Sequence, residues 1–109
     1  MTDHTDTRAL LRQFIDTHFD EQVQMLARLV QCPSDNPPGD CAPHAELTAG
    51  LLEAMDFEVE RHPVPAGFAT ANGMQSVVNL IVRVRFGEDG PVIALTAHGD
   101  VVPPGEGWR

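Results

Sequence analysis

The sequence predicts an α/β fold in which two N-terminal helices pack on a mixed sheet of three strands. Residues 8–31 and 40–55 carry apolar side chains at intervals of three and four, the spacing of amphipathic helices. Residues 57–64, 76–86 and 92–97 carry alternating or continuous apolar residues, the pattern of strands. The chain has 109 residues, enough for one small domain with one core.

The helical segments have recognisable ends. The first is weakest around residues 16–20, where the sequence predicts a kink or a break, and it ends before Pro33, because proline disfavours helical geometry in the preceding residue. Asp40 is the predicted N-cap of the second helix, and Pro43 is tolerated in its first turn. Asp56 follows this helix and can adopt the left-handed conformation that ends helices, at some cost in free energy.

The remaining elements are strands and a loop. Residues 66–75 are predicted to form a loop because they include Asn72-Gly73, a turn signal. The first two strands are close enough in sequence to pair antiparallel. The third, residues 92–97, is the most apolar, and we expect a complete sheet to bury both of its faces. In a chain of this size, at least one edge of that strand is expected to be open.

Composition excludes some classes of function. The net charge is −9, with 16 acidic residues against seven basic ones, all arginine. This balance argues against binding to nucleic acid or to anionic membranes, which attract basic surfaces. No apolar run approaches the ~20 residues of a membrane span, and the N-terminus lacks the apolar core of a secretion signal, so a cytoplasmic location is expected. Cys32 and Cys41 fit no familiar zinc spacing and are predicted to be free thiols.

The candidate metal-binding and catalytic side chains, His98 and Asp100, follow the third predicted strand. Side chains two apart in a strand share a face, and a neutral imidazole is a good zinc ligand. A carboxylate two residues away can accept the other ring N–H, which fixes the tautomer. The alternative is that both residues merely cap a buried strand, and for an isolated His-x-Asp pattern that alternative is favoured.

The longer string HGDVVPPGEGW resembles the first metal-site motif of the family of zinc metallopeptidases and deacylases. That family includes acetylornithine deacetylase, succinyl-diaminopimelate desuccinylase, aminoacylases and cytosolic dipeptidases. The motif elements present are His98, Asp100, Val101, Val102, Pro103, Gly105 and Trp108. The order of elements and the loop PSDNPPGD are also similar to those of the family, although relatives commonly have glycine where this chain has Asp56.

The resemblance implies that residues 1–109 are the N-terminal part of a catalytic domain that hydrolyses amide bonds of N-acyl amino acids or small peptides. It implies that His98 binds zinc and that Asp100 is a catalytic residue that orients His98. It further implies two zinc ions, with cobalt as a possible substitute, and a homodimer in the full-length form. The other metal ligands and the general base lie in later segments of the family's chains.

A second hypothesis assigns the chain to a different class, a truncated and catalytically incompetent small α/β domain that acts only through protein contacts. The end of the sequence at Arg109 favours it, whereas the quality of the motif favours the hydrolase. The histidines at positions 4, 18, 44 and 62 show no ligand spacing with His98. Deacetylase, desuccinylase and dipeptidase activities are not distinguished by this stretch of sequence.

Overall fold

A computed structural model describes residues 4–108 as a small α/β protein with four helices and one two-stranded antiparallel sheet. The chain divides into two compact units, the first ending at Gln31 and the second starting at Cys32. Between residues 4 and 108, no helix has the length and the apolar character needed to cross a membrane.

The first unit consists of helices α1, His4–Thr17, and α2, Phe19–Gln31, which contact each other. The helix is interrupted at His18, so the predicted break in the first helical segment is confirmed. The His18 ring lies 4.4 Å from the Phe14 ring between centroids, and its Nδ1 lies 3.0 Å from Glu21 Oε2. Many apolar side chains of both helices are exposed, namely Leu10, Leu11, Phe14, Ile15, Phe19, Val23, Leu26 and Val30.

The second unit contains helix α3, Ala42–Glu53; strand β1, Glu60–Pro63; helix α4, Ala66–Ala71; and strand β2, Val78–Ile81. The strands pair antiparallel, with Glu60 opposite Ile81 and Pro63 opposite Val78, as the sequence predicted for its first two strands. Helix α3 contacts β2. The buried apolar residues are alanines, Ala45, Ala49 and Ala69, so the core of this unit is small.

Helix α3 begins one residue later than predicted. Its N-cap is Cys41, which makes no side-chain capping bond, and Pro43 lies in the first turn. The carboxylate of Asp40 instead accepts a hydrogen bond of 2.6 Å from Ser76 Oγ, and that hydroxyl oxygen accepts one of 2.9 Å from the N–H of Ala42. The cap is thus supplied by Ser76, a contact that local sequence does not reveal. Asp56 has φ 68°, so the left-handed residue after this helix is confirmed.

The sheet has two strands rather than the predicted three. Within residues 4–108, positions 91–100 form no strand, and Val92, Ile93 and Leu95 are 94%, 81% and 93% exposed. The apolar pattern is that of a buried strand, but a strand also needs a neighbour that supplies backbone hydrogen bonds. The prediction of a third strand in a mixed sheet is therefore wrong for this structure, and the burial of this run in a complete sheet stays a prediction.

The other differences concern the extent of elements. Residues 66–71 form helix α4 instead of a loop, because burial of Ala69 and the alanine-rich composition outweigh Gly67. Strand β2 is shorter than the predicted 76–86, since β1 pairs only four residues and the chain beyond Ile81 has no described partner strand. Strand β1 is likewise shorter than the predicted 57–64.

Arg61 on β1 joins the strand to helix α3. Its guanidinium donates to both oxygens of Glu46 at 2.9 and 3.0 Å, and to Glu53 at 2.7 and 3.4 Å. These hydrogen bonds lower the pKa of Glu46 and of Glu53, which keeps both carboxylates charged in mildly acidic solution. The pairs are exposed, so they fix the register of strand against helix more than they add stability.

We expect the 109-residue chain to self-associate, because residues 92–95 present unpaired backbone and apolar side chains to water. Light scattering should show a mean mass that rises with concentration. Replacing Ile93 and Leu95 by lysine should lower that rise, since charge on an open edge opposes pairing. Glu88→Lys changes the net charge equally at another exposed position and serves as control. A monodisperse wild-type monomer that melts cooperatively would contradict this expectation.

Candidate functional site

His98 and Asp100 form a hydrogen-bonded pair. His98 Nδ1 lies 3.1 Å from Asp100 Oδ1 and 2.9 Å from the backbone oxygen of Asp100. In the tautomer with its proton on Nδ1, the imidazole donates to both oxygens, and Nε2 keeps its lone pair for another partner. The His98 side chain is 84% exposed and that of Asp100 39% exposed, so the ring is accessible while the carboxylate is half-buried.

The pair is held in place by the proline-rich loop that precedes helix α3. A parallel β-bridge joins Asp35 to Val101. In it, the N–H of Val101 donates to Ser34 O at 3.0 Å, and the N–H of Asn36 donates to Val101 O at 2.7 Å. Ser34 Oγ also donates to Gly99 O at 2.7 Å, and Ser34 is buried, with 5% of its surface exposed. The loop therefore fixes the backbone on which His98 and Asp100 stand.

His44, from helix α3, lies against Gly99. A Cβ atom added at Gly99 would lie 3.1 Å from His44 Nδ1 and 3.3 Å from its Cε1. Both distances are shorter than ordinary van der Waals contact, so a side chain at position 99 would have to displace the imidazole or the backbone. The absence of a side chain at Gly99 thus lets His44 approach the peptide between His98 and Asp100.

Cys41 lies close enough to this region to be influenced by its charges. Partial burial raises the pKa of the Cys41 thiol, and the negative charges of Asp100 and Asp40 raise it further. The thiol therefore stays protonated at neutral pH, and it contacts Ser34 O at 3.7 Å. Cys41 and Cys32 are not bridged to each other in this structure.

His98 and Asp100 line a hollow of about 380 Å³ together with Asn36, Val101 and Val102. An accessible imidazole nitrogen, oriented by a carboxylate on the other nitrogen, fits one zinc ligand and its supporting partner. A catalytic zinc site needs about three protein ligands. Among residues 4–108, no group of three or more histidine, cysteine, aspartate or glutamate side chains is arranged to hold a metal ion. The described residues fit part of a zinc site and do not complete one.

The structure thus places His98 and Asp100, the two residues that the sequence singled out, in contact with each other. The roles of zinc ligand and orienting residue remain predictions. Sequence reasoning missed Ser34 and His44. Ser34 contacts a residue 65 positions away, and local pattern carries no signal for such a contact. The glycine between His98 and Asp100 was a hint that another group approaches closely, but it did not identify His44.

The fold and the pair define a small α/β segment that presents one oriented, accessible histidine. Comparison with curated proteins finds succinyl-diaminopimelate desuccinylases. The relative from Methylobacterium sp. is 46% identical over 83 residues, which are 74% of this chain and 19% of the relative. Those from Rhizorhabdus wittichii and Gluconobacter oxydans are 35% and 36% identical, each over 81% of this chain and 21% and 20% of the relative.

The chain is therefore similar, over about three quarters or more of its length, to a segment of curated succinyl-diaminopimelate desuccinylases, and the resemblance found in the sequence is confirmed. It spans about a fifth of the length of these curated relatives. No family model matches the chain, and no solved structure matches it significantly.

Proposed function

We propose that this chain is the N-terminal part of a zinc-dependent hydrolase that cleaves the amide bond of N-acyl amino acids or small peptides. The observation that carries the proposal is the oriented His98–Asp100 pair in a chain whose curated relatives are named succinyl-diaminopimelate desuccinylases. N-Succinyl-diaminopimelate is accordingly the first substrate to test. Dimerisation of the complete protein forms part of the same proposal.

In this proposal His98 binds one zinc ion through Nε2, because Nδ1 is occupied by Asp100. Two bound zinc ions would supply an activated water for attack on the amide carbonyl. Asp100 holds the ring in the tautomer that leaves Nε2 free, and its negative charge strengthens the imidazole as a ligand. The remaining ligands and the general base are assigned to segments beyond these residues.

The proposal is tested by a chimera, called here the extended form, in which this chain replaces the segment it matches in the Methylobacterium desuccinylase. We expect the extended form to retain zinc and to hydrolyse N-succinyl-diaminopimelate, with N-acetylornithine and a dipeptide as comparison substrates. The parent enzyme is the positive control. A folded extended form that neither binds zinc nor hydrolyses any of the three would contradict the proposal.

The coding sequence immediately downstream of Arg109 distinguishes the hydrolase from the rival hypothesis, a domain that acts only through protein contacts. A continuing reading frame that carries further acidic ligands, including an Asp and a Glu-Glu pair, supports the hydrolase. A stop codon supports the contact domain.

A further inference from the structure

The buried hydroxyl of Ser34 is hydrogen-bonded to the carbonyl of Gly99, the residue between the candidate zinc ligand and its orienting carboxylate. Ser34 is 5% exposed, and its Oγ–H donates to Gly99 O at 2.7 Å. A buried polar group that lost such a partner would keep its desolvation cost, so this bond strongly favours one position of the Gly99 carbonyl. That carbonyl belongs to the peptide between Gly99 and Asp100, and its position therefore constrains where the Asp100 carboxylate lies.

The neighbouring backbone bonds act on the next peptide, Asp100–Val101, whose oxygen also lies 2.9 Å from His98 Nδ1. The two hydrogen bonds of the parallel bridge hold Val101, which lies after the pair. Within the described part of the chain, Ser34 is the distant residue whose side chain hydrogen-bonds to residues 98–100. Ser34 thus extends the anchoring from Val101 back to the Gly99–Asp100 peptide.

The His44 imidazole restricts the space around Gly99 from another side. Gly99 does not adopt a left-handed conformation, so glycine is not required there by its backbone angles. Space favours glycine there, since a Cβ would lie 3.1 Å from His44 Nδ1 and the imidazole would have to shift by a few tenths of an ångström. A hydrogen bond on the carbonyl of Gly99 and an imidazole against its Cα leave the turn little freedom to rotate.

We propose that Ser34 is a positioning residue for the His98–Asp100 pair: its hydroxyl fixes the Gly99 carbonyl, and this keeps the Asp100 carboxylate on Nδ1 of His98. That this positioning strengthens zinc binding rests on the proposed function. That it fixes the tautomer of His98 is independent of the proposed function, because the tautomer is a property of the metal-free chain.

The test is the pair of ring-nitrogen chemical shifts of His98 in ¹⁵N-labelled chain without metal. Spectra are recorded at low protein concentration and at about pH 8.5, about two units above the ordinary imidazole pKa of ~6.5. The chain has five histidines, and a His98→Gln variant assigns the signals. In the wild type, we expect widely separated shifts, the signature of a single tautomer with the proton on Nδ1.

Ser34→Ala should bring the two shifts towards each other, because the Asp100 carboxylate is no longer held against Nδ1 and only the backbone oxygen of Asp100 still favours a proton there, so the second tautomer becomes more populated. Ser76→Ala is the matched control, because it too removes a hydrogen-bonded serine hydroxyl. The Ser76 hydroxyl bonds the Asp40 carboxylate and the N–H of Ala42, and it bonds neither His98 nor Asp100. It should leave the His98 shifts unchanged. If Ser34→Ala does not fold, Ser34→Cys fills nearly the same space with a weaker donor and should shift the signals in the same direction.

Unchanged His98 shifts in a folded Ser34→Ala or Ser34→Cys variant would overturn the inference, as would an equal change in Ser76→Ala. Since this readout needs no metal, such a failure leaves the zinc proposal standing. Conversely, full zinc content in a His98 variant of the extended form would overturn the zinc proposal and leave the positioning role of Ser34 intact.

Discussion

His98→Ala is expected to lower zinc content and hydrolytic activity together in the extended form. The substitution removes a direct metal ligand, and a catalytic zinc with about three protein ligands does not tolerate the loss of one. Asp100→Asn keeps the shape of the side chain but removes its charge. It should weaken zinc affinity or activity by about 10–100-fold, the range found when partners of metal ligands are changed, while the fold remains intact.

The chain supplies a matched control for both substitutions. His62 is also exposed and also lies two residues from a carboxylate, with its Nε2 3.3 Å from Glu60 Oε1. His62→Ala and Glu60→Gln should leave zinc content and activity unchanged. The account is contradicted if the His98 and Asp100 variants both keep full metal content and lose only some thermal stability, since that is the behaviour of residues that merely cap a chain segment.

The isolated 109-residue chain should show no hydrolysis of N-acyl amino acids or dipeptides, with or without added zinc or cobalt. The reason is the ligand count: residues 4–108 bring together no group of three metal-binding side chains. Circular dichroism on the same sample should show the helices, which separates a missing site from a missing fold. Metal-dependent turnover by the purified chain, abolished by His98→Ala, would overturn this expectation.

Where local chemistry determines structure, the sequence was sufficient. The weak helical pattern at residues 16–20 predicted the interruption at His18, and the position after α3 indicated a left-handed residue, which is observed at Asp56 with φ 68°. The closeness of the first two strands predicted their antiparallel pairing. These features depend on residues near one another in the chain, so spacing and residue type carry the information.

Where structure depends on distant partners, the sequence was insufficient. The apolar run from Val92 predicted a buried strand, but a strand needs a neighbour, and in this structure the run is exposed. The same limit applied to the site. The motif identified His98 and Asp100, whereas Ser34 and His44 contribute only because the fold brings the proline-rich loop and helix α3 against Gly99.

The central claim, that His98 is a zinc ligand, is tested most directly by a crystal structure of the extended form with an anomalous difference map at the zinc edge. The account predicts a zinc peak about 2.0–2.1 Å from His98 Nε2, with the Asp100 carboxylate still on Nδ1. Zinc peaks that all lie away from His98, or an Nε2 bonded to another protein group instead of metal, would contradict it.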